Sequence, residues 1–181
     1  MEGEPRFFGP QQLREIQRAL ALAEELCGDH YHLSAFDLRS APYDVVTGRE
    51  LIAAGVEPPP QPSQLAEVRR CDLTREERTA RDRRRTHYRI CLWDPHILAV
   101  FDRGERPGAV LLFVLVHELV HVVRFAKRLA LFESGHLARV HEEAAVHETT
   151  GRILARAREP GLAELLRRLP ELGSCLRGLE P

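Results

Sequence analysis

The stretch that most constrains this chain is residues 109–127, AVLLFVLVHELVHVVRFAK. It is long enough for five helical turns and apolar on every face, which predicts a buried helix. Inside it lies His117-Glu118-Leu119-Val120-His121. Two histidines at i and i+4 share one helix face, so both imidazoles can reach a single ion. Glu118 is rotated about 100° from His117 and can lie beside that ion without ligating it. A composition like this one yields roughly 0.05 such matches by chance. The surroundings strengthen the motif, because a buried helix must find partners for three polar side chains and a metal supplies one. The bland alternative is a core helix whose histidines bond to backbone or carboxylates.

Length and charge narrow the options. The 181 residues suffice for one domain with a substantial core. A net charge of −1 provides no global field for nucleic acid or a membrane surface. The four cysteines, Cys27, Cys71, Cys91 and Cys175, are far apart with no CxxC pair, which excludes a zinc ribbon and argues against a disulfide framework. The N-terminus lacks a basic start followed by an apolar core, so the expected compartment is the cytoplasm. The apolar run of 109–123 is too short and too polar to be expected to span a bilayer.

Along the chain, residues 10–27 read as an amphipathic helix with Pro10 in its first turn and Gly28 as its stop. His30 and His32 would share a face on a strand, but have no acidic or cysteine partner nearby. A short helix at 50–54 is stopped by Gly55, and Glu57-Pro58-Pro59-Pro60-Gln61-Pro62 is a stiff linker. That linker separates an N-terminal helical segment, 1–62, from a domain at 63–181, unless the whole is one compact domain. Residues 63–85 read as a charged helix, and the five arginines of 78–87 as a solvated face. Residues 87–101 read as a hairpin, with Asp94-Pro95 turning the chain and Ile97 to Phe101 returning it. A second helix is expected over 136–158, followed by short amphipathic pieces at 161–169 and 172–179.

A catalytic zinc takes three protein ligands and keeps one position open. The candidates for the third ligand are His136, His141, Glu142, Glu143 and His147, all just after the motif helix. Glu142 and Glu143 point about 100° apart, so one of them faces the ion. Glu143 shares its face with His147 at i+4, whereas Glu142 lies with small packing residues, which favours Glu143 as ligand and His147 as its polar partner.

With these residues in place, the layout from Val116 to Leu154, VHELVHVV followed by HEEAAVHETTGRIL, resembles the gluzincin zinc peptidases. It is similar to their small intracellular members of the ImmA/IrrE type and to the minimal gluzincins. The resemblance implies a zincin-like α+β fold, mostly helical, with a small antiparallel sheet or hairpin packed on the active-site helix and a second ligand-bearing helix. It implies Zn2+ held by His117, His121 and Glu143, the Glu immediately before Ala144. It also implies hydrolysis of a peptide or protein substrate with Glu118 as general base. SprT/Spartan-type proteases are a competing resemblance, through Gly135-His136. No tyrosine lies downstream of the motif, which leaves His136, His141, His147 or an arginine as oxyanion donor, with His147 the catalytic candidate beside Glu118. The rival expectation is a non-catalytic, zinc-stabilised scaffold or regulatory protein.

Overall fold

A computed structural model describes residues 6–33, 42–57, 63–71, 86–132 and 135–168. The motif helix, Pro107–Ala126, is its axis, and its length and apolarity would let it cross a membrane. Yet 78% of its most apolar window is buried inside the fold, as in a core helix. It starts where expected, with Pro107 in the first turn, where a missing N–H costs nothing.

In chain order the elements are α1 (Pro10–Tyr31), β1 (Tyr43–Thr47), α2 (Gly48–Ala53), β2 (Ala66–Cys71), β3 (His87–Leu92), α3 (Asp94–Asp102), α4 (Pro107–Ala126), α5 (His136–Leu154) and a short α6 at 162–168. The architecture is α+β. α1 lays Ile16, Ala19, Ala23 and Cys27 into the same core as α4. The two alanines let the helix backbones approach closely. β1 pairs parallel with β3, placing Val45 opposite Ile90, and β2 pairs antiparallel with it, placing Val68 opposite Ile90. The sheet is therefore mixed, in the order β1-β3-β2. β3 is the central strand and is buried on both sides. Tyr88, Ile90 and Leu92 join the main core, while Cys91 packs with Trp93 and Leu51 on the opposite face.

Several expectations need correction. Residues Ile97 to Phe101 are not a returning strand but part of α3, so there is no hairpin and the sheet is not purely antiparallel. Pro95 is pre-organised for a first helical turn, and Asp94, buried beneath it, holds that turn in place. The expected charged helix at 63–85 is a strand over Ala66–Cys71. Period-two alternation wins there. Ala66 and Val68 face the core, and Arg69 Nε donates to Glu67 Oε1 at 2.9 Å, a same-face pairing that a strand allows at i, i+2. Finally, α1 runs through Gly28 to Tyr31 and turns at His32 (φ 51°), so the two histidines sit at a helix end and not on a strand.

The second helix also ends earlier than expected, at Leu154. Residues 58–62 of the proline linker, 72–85 of the arginine tract and 172–179 lie outside the described residues.

Candidate metal centre

α5 folds back across α4, and its buried face carries Val146, Thr150, Ile153 and Leu154. Arg124 on α4 clamps it, donating to both oxygens of Glu142 at 2.7 Å each. Such a fork fixes the rotation of α5 about its axis. With Glu142 held there, the next residue turns its carboxylate to the motif. Glu143 Oε2 lies 3.5 Å from His117 Nε2, and Glu143 Oε1 lies 3.2 Å from His121 Nε2.

These donor atoms all lie within 4.8 Å of one another and could hold a metal ion. Bond lengths to a tetrahedral zinc of about 2.0–2.1 Å put neighbouring ligand atoms about 3.3–3.4 Å apart. The two measured separations bracket that value. Two imidazoles and one carboxylate also form a donor set that zinc accepts in catalytic sites. The two carboxylate–imidazole spacings and the chemistry of the donor set thus fit zinc.

Aromatic packing sets the ring orientations. The His117 and His121 centroids are 5.0 Å apart, with the rings tilted by 73°. Phe113 lies 6.1 Å from His117, and Phe125 stacks on His121 at 5.7 Å. Both Nδ1 atoms are buried without a hydrogen-bond partner among the described residues. That leaves Nε2 as the nitrogen each ring presents to the cluster.

Glu118 is buried, 6% exposed. Burial pushes its carboxyl up to about 7, against the opposing pull of His117 and with added repulsion from Glu143 and Glu67. Glu143 goes the other way. Burial alone would raise it, but hydrogen bonds and positive charge from His117 and His121 hold it well below the usual carboxylate range. Burial thus favours the protonated form of Glu118, while the two imidazoles favour the charged form of Glu143.

The other sequence candidates fall outside this cluster. His136 is exposed in the first turn of α5, and Glu142 is committed to Arg124. His147 lies one turn past Glu143 and meets Phe113 edge-on, with ring centroids 6.2 Å apart. Sequence reasoning overlooked Phe113 and Phe125 as walls of the site. It also overlooked Arg124, although a basic residue at His121 + 3 facing the Glu142-Glu143 pair was a usable signal. Glu67 had no local signal, since only tertiary folding brings β2 to α4.

The two adjacent glutamates give a sharp contrast. Glu143→Gln is expected to weaken zinc binding about 100-fold or more. Glu142→Gln is expected to leave it within about 10-fold while costing about 2 kcal/mol of stability, through the stranded Arg124. Competitive zinc titration and urea unfolding of both variants check the pair.

No family model, curated protein or solved structure matches this chain in comparisons with known proteins.

Proposed function

We propose that this chain is a zinc-dependent peptidase of zincin-like, gluzincin type, with His117, His121 and Glu143 as ligands. The observation that carries the proposal is the convergence of both motif imidazoles on Glu143, with the buried Glu118 beside them. Zinc held there supplies Lewis acidity towards a scissile carbonyl and makes a water molecule acidic enough to attack near neutral pH.

The chain's own residues do the rest. A Glu118 carboxylate oxygen takes the proton of the attacking water and passes it to the leaving amine. His147, one turn beyond Glu143, is the proposed donor to the developing oxyanion. Alignment of an extended peptide falls to β2. Ile97 to Phe101 are helical and β3 is central, so neither has an open edge, whereas among the described residues β2 ends the sheet on the side that packs against α4. The substrates in this proposal are polypeptides of the cytoplasm.

The test is a digest of a mixed peptide library by the full chain, loaded with one equivalent of zinc or stripped by a chelator, read by mass spectrometry. New internal termini are expected in the zinc-loaded sample alone. A fully loaded chain that cleaves nothing would remove the peptidase assignment.

A further inference from the structure

The beginning of α5 stands clear of the core. Residues 136–141 are all exposed, with Leu137 at 75%. The connection from α4 adds Leu129 and Leu131, the latter 74% exposed, and Val140 is exposed as well. Single exposed leucines are ordinary. Four large aliphatic side chains at one end of a helix pair form a surface that favours covering.

This surface runs into the candidate metal centre. Phe132, at the end of the described connection, lies 5.1 Å from Phe125, whose ring stacks on His121. Val140 precedes Glu143 by three residues and so shares its side of α5. The rim is basic. Lys127, Arg128 and Arg139 are exposed around it, and the Arg70 guanidinium sits over Phe132 at 5.9 Å. The two nearest carboxylates on α5 are already engaged, Glu142 by Arg124 and Glu143 by the histidines.

We infer that this apolar, basic-rimmed surface docks a substrate segment whose bulky apolar side chains are flanked by Asp or Glu, and that it delivers the segment to the metal centre. The inference rests on the peptidase assignment above. Leucine side chains on either partner leave water on docking, and the carboxylates meet Arg128 and Arg139 at the rim, where charge sets selectivity and encounter rate more than affinity. An anionic bilayer offers similar chemistry. The continuity with His121 and Glu143 favours a polypeptide, because a bilayer has no use for a path leading to the ligands.

The test uses the zinc-loaded full chain carrying Glu118→Gln, so that bound peptide is not consumed. Fluorescence anisotropy compares three labelled peptides. One has leucines flanked by glutamates, one replaces the glutamates with lysine, and one replaces the leucines with serine. Vesicles of phosphatidylcholine with phosphatidylserine form a fourth arm. The leucine–glutamate peptide is expected to bind about tenfold tighter than either control, as burial of one or two leucines allows. Adding Leu131→Asp and Leu137→Asp is expected to remove that preference with zinc content unchanged. Equal binding of all three peptides overturns the inference. So does an unaltered preference in the aspartate variant, or binding to vesicles alone. Selective binding by a chain whose wild type cleaves none of these peptides leaves the docking surface standing and overturns the peptidase assignment instead.

Discussion

Under the proposed peptidase mechanism, replacing Glu118 with glutamine is expected to lower kcat/KM for peptide hydrolysis by about 10²- to 10⁴-fold while zinc content stays unchanged. The substitution keeps the shape of a fully packed side chain and removes only its ability to take a proton. The proposed zinc donors are His117, His121 and Glu143, and none is altered. Stability is what separates this outcome from damage to the fold. A carboxylate buried as deeply as Glu118 is costly to charge, and burial pushes its carboxyl up to about 7. An uncharged amide there should therefore leave unfolding within about 1 kcal/mol of wild type, or raise stability. Parallel steady-state kinetics, zinc analysis and thermal melts check the three parts. Loss of activity together with a fall in stability would mean that Glu118 acts as a core residue.

The second large effect lies far from the metal. Asp94→Ala is expected to destabilise the fold by about 2–5 kcal/mol. Asp94 is 1% exposed, and each of its oxygens accepts a backbone N–H, from Phe8 at 3.1 Å and from Gly48 at 2.6 Å. Alanine strands both donors inside the protein, and an unpaired buried donor forfeits its hydration with nothing in return. This one side chain joins the N-terminal segment, the start of α2 and the first turn of α3. The approach is so close that a Cβ on Gly48 would stand 3.2 Å from both the amide nitrogen and Oδ1 of Asp94. Asp94→Asn should cost less, since its amide retains one acceptor oxygen. Urea unfolding should show a lowered midpoint with an unchanged slope, because the folded state loses bonds without changing its area.

Asp94 also marks where sequence and structure part company. Asp-Pro followed by Ile-Leu-Ala-Val-Phe suits a turn with a returning strand as well as it suits a helix start. What decides is the pair of backbone donors from residues 8 and 48, which no local pattern reveals. β1 and β2 were hidden for related reasons. The partners of β3 come from opposite ends of a long stretch of chain, and β2 carries Glu67, Arg69 and Arg70 on a short edge strand, so its composition reads as a charged helix. The motif helix, the break after it and the carboxylate helix were legible because each is local. A continuous apolar run, a glycine-bearing loop and a 3.6-residue period need no distant partner. The preference for Glu143 over Glu142 came from helix rotation together with the polar face shared with His147, and in the structure Glu143 lies against both motif histidines while the Arg124 fork occupies Glu142. The aromatic walls were not legible, because Phe113 and Phe125 look like any other apolar residue in a buried helix.

The central claim is that the motif and Glu143 hold a catalytic zinc, open on one side, and not a structural staple. Anomalous diffraction at the zinc edge from crystals of the zinc-loaded chain tests it most directly. The expected result is one peak about 2.0–2.2 Å from Nε2 of His117, Nε2 of His121 and a carboxylate oxygen of Glu143, with no fourth protein ligand. A peak elsewhere, or a shell closed by a fourth side chain such as His147 or His136, would contradict it.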